Sequence, residues 1–168
     1  MKMNKAERLS AEELVSRYSK TVYRIALSRL GNPAEAEDIT QNVLIKYINA
    51  DKTFDDEDHR RKWIIRVTVN EINTLVRSAH KRYTTELDEM ENVACAPPDS
   101  SDETADIREA VARLPEKYRV PVHLFYYEDL SVKDIAAAMS VSEGTVKSLL
   151  SRARAKLREM LEEQDYVG

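Results

Sequence analysis

Several residue types that build particular kinds of site are scarce in this sequence. Of its 168 residues one is a cysteine, Cys95, so neither an internal disulfide nor a cysteine-rich zinc site can form. Only three glycines are present, and each stands alone in the chain. Because phosphate-binding loops need clustered glycines, P-loop and dinucleotide-binding sites are excluded. No apolar run approaches the roughly 18 to 20 residues that span a bilayer, and the polar start does not resemble a signal peptide, so we expect a cytoplasmic protein.

Charge is divided unevenly along the chain, although the net charge is only -4. Residues 1–82 hold 16 Lys and Arg against 12 Asp and Glu, and residues 107–168 hold 10 of each. Residues 83–106 hold eight acidic and no basic residues, together with Pro97 and Pro98. A segment of this composition, without helical or strand periodicity, is typical of a flexible tether. The sequence therefore predicts two domains, 1–82 and 107–168, joined by a flexible acidic linker over 83–106.

The first predicted domain has the pattern of three amphipathic helices. Ser10 and Glu13 fit a capping box that begins the first helix, and Gly31 provides its end. The dipeptide Asn32-Pro33 begins the second helix, and the third begins near residues 59–61. Such helices can enclose one small core. The apolar residues at helical spacing are Leu14, Val15, Tyr18, Val22, Ile25, Ala26, Ala36, Ile39, Val43, Leu44, Tyr47, Ile48, Trp63, Ile64, Val67, Ile72, Leu75 and Val76.

The second predicted domain is helical as well. Pro115 can open a helix, whereas Pro121 lies too far along and would kink that helix or delay its start, which leaves this boundary open. Ser131 caps a short helix, Ser140-Val141 interrupt the pattern, and a longer helix follows from Ser142. A short helix, a tight turn and a longer helix form a helix-turn-helix candidate. The predicted fold is therefore all-α, with a bundle of three to four helices followed by a helix-turn-helix domain.

The final predicted helix carries a local excess of positive charge. Residues 142–158 contain five basic residues and one acidic residue in a chain that is acidic overall. A helix that enters the major groove places its N-terminal side chains at base edges and its flanks near phosphates. We therefore predict DNA binding here; the alternative is an ordinary solvated helix face. The exposed candidates are Thr145, then Lys147, Ser148 and Arg152 at or near base edges, and Arg154, Lys156 and Arg158 facing phosphate or solvent.

Two separate sets of motifs resemble one protein family. The segments EGTVKS at 143–148 and SRARAKL at 151–157 resemble region 4 of bacterial extracytoplasmic-function (ECF) sigma factors. The segment AEDITQNV at 36–43 resembles region 2.2 of the same family, and WIIRVTVN at 63–70 resembles the regions that follow. Two unrelated motifs in the family's order are more specific than either alone.

This resemblance implies a non-catalytic subunit that gives RNA polymerase its promoter specificity. Region 2 would bind the clamp of bacterial core RNA polymerase and open the minus-ten promoter element as single-stranded DNA. Region 4 would read the minus-thirty-five element as duplex DNA. No cofactor, metal site or small-molecule substrate is implied for this chain. An anti-sigma factor, often membrane-bound, is the further partner that the resemblance suggests, and it could hold the protein at the membrane.

The resemblance also assigns roles to individual positions in region 2. Asp38 and Gln41 would face the polymerase clamp, and their spacing of three puts them on one helix face. Asn70 would contact an extruded base of the minus-ten element, since its amide offers both a donor and an acceptor. Trp63 could stack on unpaired bases, although its spacing with Val67 favours a place in the core. Backbone contacts to melted DNA would come from Arg66, Arg77, Lys81 and Arg82.

Two features depart from the family pattern. Residues 55–58 are all acidic and would repel phosphates, so Phe54 and the loop backbone are the candidates there for minus-ten contacts. Leu149 stands where many relatives have arginine, and we expect it to pack inward. The promoter sequence can therefore not be inferred from the family.

Two other functions would explain parts of the sequence. A conventional helix-turn-helix regulator would account for residues 131–158 and usually binds as a dimer, but it leaves both N-terminal motifs without a purpose. A metal-dependent nuclease could use the carboxylates at 55–58 beside His59. Consecutive loop residues rarely converge on one metal, however, and His80 and His123 belong to no motif.

Overall fold

The computed structural model describes residues 6–83 and 109–167, and their regular structure is helical apart from one isolated bridge between Ala6 and Phe54. The all-α prediction is confirmed. The chain divides into two compact units, Met1–Glu91 and Asn92–Gly168. Apart from its first residue, the predicted linker over 83–106 lies outside the described residues. None of the described helices is long and apolar enough to cross a membrane.

The ends of the first helix follow from its local sequence. α1, Ala11–Leu30, begins at the capping box that the sequence predicts. The Ser10 hydroxyl accepts from the Glu13 backbone N–H at 3.2 Å, and the Glu13 carboxylate accepts from the Ser10 backbone N–H at 3.0 Å. Gly31 ends the helix in the left-handed conformation, with φ 65°. Glycine adopts this conformation without a steric penalty, so the helix stops where the sequence predicts.

Two further helices complete a three-helix bundle in the first unit, and each helix packs against the other two. α2, Pro33–Asn49, begins with Asn32, whose side chain accepts from two backbone N–H groups of the first turn. α3, Glu57–Tyr83, begins two residues before the predicted start, because the Asp56 carboxylate accepts from the His59 backbone N–H at 2.7 Å. The fully buried apolar residues between these helices include Leu14, Val22, Ile25, Ala36, Val43, Ile64, Ile65 and Ile72.

Two apolar residues that the helical pattern grouped with the core lie on the surface. Val15 is 49% exposed and Ile48 is 45% exposed. At about 100° per residue, Val15 stands more than a quarter turn from the buried Leu14, and Ile48 stands in the same relation to the buried Tyr47. Because the neighbouring residue in each pair occupies the core, Val15 and Ile48 face away from it.

The second unit contains the helix-turn-helix that the sequence predicts. Residues 109–112 are helical, and three further helices of the described residues are α4, Glu116–Tyr126, α5, Val132–Met139, and α6, Glu143–Val167. Pro115 stands at the N-cap of α4, and Pro121 lies inside that helix rather than delaying its start. One backbone donor is thereby missing within α4. The open boundary is thus resolved in favour of a helix that begins before Pro121.

Side chains and backbone conformation define the turn between α5 and α6. Ser131 begins α5 by accepting from the Asp134 backbone N–H at 3.1 Å. Ser140 ends α5 in the left-handed conformation, with φ 57°. Ser142 begins α6 by accepting from the Thr145 backbone N–H at 3.1 Å. Both α4 and α5 pack against α6, and the core of the unit is formed by Leu114, Leu124, Ile135, Val146, Leu150 and Ala153.

Candidate nucleic-acid and polymerase interfaces

Four exposed side chains follow one line along α3. Arg66, Asn70, Arg77 and Lys81 are exposed, and at about 100° per residue they fall within roughly 60° of one another around the helix. The line is roughly 22 Å long at about 1.5 Å per residue. One strand of B-form DNA carries about six phosphates over the same length. We call these four residues the α3 stripe. The stripe contains Asn70, whose amide is predicted to contact a base, and three cations that are predicted to contact phosphates. The side chain of Arg82, the fourth predicted phosphate contact, lies outside those that the structure describes.

Aromatic side chains from α2 and α3 cluster around Phe54, which lies in the loop between these helices. The Phe54 ring lies 6.0 Å from the Tyr47 ring, 5.6 Å from the Trp63 ring and 5.3 Å from the His59 ring, measured between centroids. Phe54 is only 3% exposed. This corrects the expectation that Phe54 contacts DNA, because the cluster already covers its ring. Trp63 is half-buried, so one side of it packs in the core and the rest reaches solvent.

Lys52 provides a cation that sequence reasoning missed. Its Nζ lies 5.6 Å from the centre of the Trp63 ring and 5.8 Å from the centre of the Phe54 ring, within the range of cation–π attraction. The Lys52 side chain is exposed. Only the folded loop brings it over Trp63, so no local sequence pattern indicates this contact. The loop therefore presents a positive charge beside its aromatic cluster, despite the acidic residues that follow.

The acidic residues at 55–58 are held by neighbouring groups. Glu57 accepts a hydrogen bond from the buried guanidinium of Arg60. Asp58 pairs with Lys62 at 2.7 Å. In the part of the chain that the structure describes, no group of three or more His, Cys, Asp and Glu side chains is arranged to hold a metal ion. These carboxylates cap and pair within the bundle.

Glu57 also joins α3 to α1. It accepts a hydrogen bond from the Tyr18 hydroxyl, and one of its oxygens lies 3.6 Å from the Arg17 guanidinium. Burial, followed by the hydrogen bond to Glu57, raises the pKa of Tyr18 well above its ordinary value. The hydroxyl proton is therefore retained as part of the packing between the two helices.

α2 presents a mixed polar and apolar face to solvent. Asp38 and Gln41 are both exposed, as contact with a partner requires, and lie about 60° apart around the helix. Ile45 and Ile48 continue the same side and are 54% and 45% exposed. Sequence reasoning missed Ile45 and grouped Ile48 with the core. The seven-residue spacings from Asp38 to Ile45 and from Gln41 to Ile48 are the signal that could have found them. We call these four residues the α2 face.

The first turns of α6 present the predicted DNA-reading side chains. Thr145, Lys147, Ser148 and Arg152 are all exposed. Ser148 and Arg152 point away from α4 and α5, since the opposite side of α6 is buried against those helices. The Thr145 hydroxyl lies 2.8 Å from the hydroxyl of the capping residue Ser142. Leu149, expected to pack inward, is half-buried.

Arg154 has a different environment from the other basic residues of α6. Its Nε donates a hydrogen bond to the Tyr126 hydroxyl at 2.7 Å. Its guanidinium carbon lies 5.6 Å from the centre of the Phe125 ring and 5.9 Å from that of the Tyr126 ring. Because both rings belong to the last turn of α4, Arg154 joins α6 to α4. Sequence reasoning assigned Arg154 to DNA and did not anticipate this contact.

Comparison with known proteins identifies both units. Residues 14–82 match the family model described as Sigma-70 region 2, and residues 104–157 match the one described as Sigma-70, region 4. The ECF RNA polymerase sigma factor SigW of Bacillus subtilis is 28% identical over 174 residues, which cover 95% of this chain and 92% of that protein. The RNA polymerase sigma-E factor of Streptomyces avermitilis is 32% identical over 171 residues, covering 97% of this chain and 91% of that protein.

The fold is similar to that of a solved sigma factor structure. The sigma factor RpoE of Bartonella quintana, crystallised with the anti-sigma factor NepR, aligns with a TM-score of 0.73 over 90% of this chain and 96% of that chain, at 24% sequence identity. The two family models together match most of the chain, and each falls on one of its compact units. The chain therefore belongs to the ECF family of RNA polymerase sigma factors, and it directs core RNA polymerase to specific promoters.

Proposed function

We propose that this sigma factor contacts polymerase and promoter through three surfaces, which are the α2 face, the α3 stripe and the exposed side chains in the first turns of α6. The observation that carries the proposal is the α3 stripe. Its four members are distributed over 16 residues of sequence and share one exposed side of the helix. A helix that follows a nucleic acid strand needs its cations on one side, because each phosphate contact releases counterions and adds affinity.

The α2 face binds the clamp of core RNA polymerase in this proposal. Asp38 and Gln41 offer a carboxylate and an amide for directional hydrogen bonds. Ile45 and Ile48 add apolar area beside them, and burial of such area on docking is favourable. A face that combines polar positioning with an apolar anchor has the composition of a specific protein interface.

The α3 stripe holds the opened minus-ten strand. Asn70 contacts an extruded base with its amide, while Arg66, Arg77 and Lys81 contact the backbone of the strand. Arg82 continues this set in the sequence. The exposed part of Trp63 provides a surface for base stacking next to the Lys52 ammonium. Capture of an unpaired base offsets part of the cost of unstacking it, which favours promoter opening.

The first turns of α6 read the minus-thirty-five duplex. Ser148 and Arg152 lie farthest from the buried side of the helix and contact base edges, with Lys147 and Thr145 at the flanks. Arg154 acts mainly by holding α6 against α4, since its guanidinium is engaged by two aromatic rings. A helix held in this way keeps its reading side chains in a fixed position.

The protein contributes binding free energy and no catalytic group. RNA synthesis itself takes place in the polymerase, with nucleotides and magnesium bound in that enzyme, so the sigma factor works in the cytoplasm where polymerase and chromosome meet. An anti-sigma factor is a further proposed partner, in line with the complex in which the Bartonella quintana relative was solved. It would act by covering the surfaces named above.

Substitution of Asn70 tests the minus-ten assignment. Asn70→Ala should weaken binding of a single-stranded minus-ten oligonucleotide by the reconstituted holoenzyme about tenfold, because one bidentate base contact is lost. Affinity for core polymerase should remain that of the wild-type protein. Asn49→Ala, which removes another exposed amide from the same unit outside the stripe, is the matched control. Equal loss of strand binding and polymerase binding in Asn70→Ala would contradict the assignment.

A further inference from the structure

A buried arginine lies at the start of α3. Arg60 is 1% exposed, although arginine is rarely buried without partners. One terminal nitrogen donates to the Glu57 carboxylate, and the other donates to the backbone carbonyl of Glu7. The guanidinium carbon also lies 5.7 Å from the centre of the Phe54 ring. Arg60 therefore joins three parts of the chain: the segment before α1, the loop before α3 and the first turn of α3.

The segment before α1 is fixed to the same loop by its backbone. The Ala6 N–H donates to the Phe54 carbonyl at 2.9 Å, and the two residues form an isolated bridge. Arg8 Nη2 donates to the Ile48 carbonyl at 2.5 Å, at the end of α2. Two residues after Arg8 the capping box of Ser10 fixes the start of α1. Residues 6–8, which precede α1, are thus hydrogen-bonded to the loop 50–56, to the end of α2 and to Arg60.

The last two residues of the loop 50–56 are anchored to α3, since the Asp55 N–H donates to His59 Nδ1 at 3.2 Å and Asp56 caps the helix. The residues before them have few other anchors among the described residues. Phe54 is the loop's one buried side chain, while residues 51–53, 55 and 56 are exposed. A short exposed loop with a single buried ring can adopt several conformations unless its backbone is also held. Its conformation determines where Lys52 stands relative to Trp63, beside the start of the α3 stripe.

We propose that residues 6–8 and Arg60 form a latch that positions the loop 50–56 for binding of the minus-ten strand. This inference rests on the proposed function of the α3 stripe. Arg60 is a positioning residue in it, because it acts through the loop and does not touch DNA. The planar guanidinium holds the Glu57 carboxylate and the Glu7 carbonyl at the same time. A lysine ammonium presents its donors from one nitrogen, whereas Arg60 uses two separate nitrogens, so we expect lysine to lose one of the two contacts.

Trp63 makes the latch observable without DNA. It is the only tryptophan in the protein and lies 5.6 Å from the Phe54 ring, so its fluorescence reports on the loop. Arg60→Lys keeps the charge but loses one of the two contacts of the guanidinium, and Ala6→Pro removes the N–H that donates to Phe54. Arg61→Lys is the matched control for the first variant. Ala11→Pro is the control for the second, because proline is tolerated in the first position of a helix.

The experiment combines acrylamide quenching of Trp63 in the full-length chain with strand binding by the holoenzyme. Arg60→Lys and Ala6→Pro should each increase quenching. Each should also weaken binding of a fluorescein-labelled, single-stranded minus-ten oligonucleotide by about fivefold to tenfold, the effect of losing one charged or buried hydrogen bond. Helix content by circular dichroism and affinity for core polymerase should stay at the wild-type level, and both control variants should behave as wild type.

The outcomes separate this inference from the function on which it rests. If Arg60→Lys and Ala6→Pro both give wild-type quenching, the loop does not depend on the latch and the inference is wrong. If quenching increases while strand binding is unchanged, the latch does not serve DNA and the inference is wrong in that part. If the wild-type holoenzyme itself fails to bind the strand, the proposed function fails, whereas the quenching comparison still tests whether the latch holds the loop.

Discussion

Charged side chains on α3 take their roles from where the helix places them. Arg60 is 1% exposed and binds within the bundle, whereas Arg66 is exposed on the α3 stripe. At about 100° per residue the two positions lie on different sides of the helix, although both are arginines in one basic segment. The identity of the residue alone therefore does not separate an internal contact from an exposed side chain that we propose contacts DNA. The position around the helix does.

Arg152 provides a test of base reading by a single residue. Arg152→Ala should reduce affinity for minus-thirty-five duplex DNA about tenfold and should also relax the sequence preference, because one base contact is lost. Arg158→Ala, which removes an exposed arginine farther along α6, should cause a smaller loss that is uniform across sequences. Binding is measured by fluorescence anisotropy on the preferred duplex and on a scrambled duplex. Wild-type affinity and wild-type sequence preference in Arg152→Ala would remove this residue from the site.

Tyr18 links the stability of the first unit to alkaline pH. Its pKa is raised in the folded state, mainly by burial, so the folded protein keeps the hydroxyl proton where the unfolded chain loses it. The stabilisation that this pKa difference adds to the free energy of unfolding is fully present below about pH 10. It is lost as the pH rises through the folded-state pKa. In Tyr18→Phe the free energy of unfolding should therefore fall less steeply above about pH 10, as measured by urea denaturation. Identical slopes in the two proteins would contradict this role.

Most helix ends could be predicted from the sequence because local residues determine them. Ser10, Gly31 and Ser131 each act on backbone groups within one turn, so their patterns are visible in the chain itself. The bond between Arg60 and the Glu7 carbonyl joins residues 53 positions apart, and the placement of Lys52 over Trp63 depends on the folded loop. Contacts of this kind follow from tertiary packing, and no periodic pattern in the sequence reports them.

The turn of the helix-turn-helix can be tested as an element. Ser140 adopts a left-handed conformation, with φ 57°, that costs a residue with a Cβ atom about 1 kcal/mol or more relative to glycine. Ser140 is also exposed and lies outside the proposed reading side chains. Ser140→Gly should therefore raise the free energy of unfolding of the second unit by up to about 1 kcal/mol. Thermal denaturation measures this, and a lower melting temperature would show that the serine side chain stabilises the turn.

At the scale of the whole molecule, the net charge does not indicate how charge is distributed between the segments of the chain. The chain is acidic overall at -4, yet residues 1–82 carry a net positive charge and the negative excess lies in residues 83–106. The family could be predicted from its two motifs. The apolar part of the α2 face and the structural role of Arg154 could not, because both depend on which side of a helix is already covered by a neighbour. The surfaces that we propose for polymerase and promoter thus fall on two compact units of one chain.

Run-off transcription with purified bacterial core RNA polymerase, on a library of promoter fragments, tests the central claim most directly. Core polymerase with the wild-type protein should initiate at a defined subset of fragments that core polymerase alone does not use. The double variant Asp38→Ala with Gln41→Ala should need about tenfold more protein for the same transcript yield, because its docking face is impaired. Identical transcripts with and without the wild-type protein would contradict the claim that this chain gives the polymerase its promoter specificity.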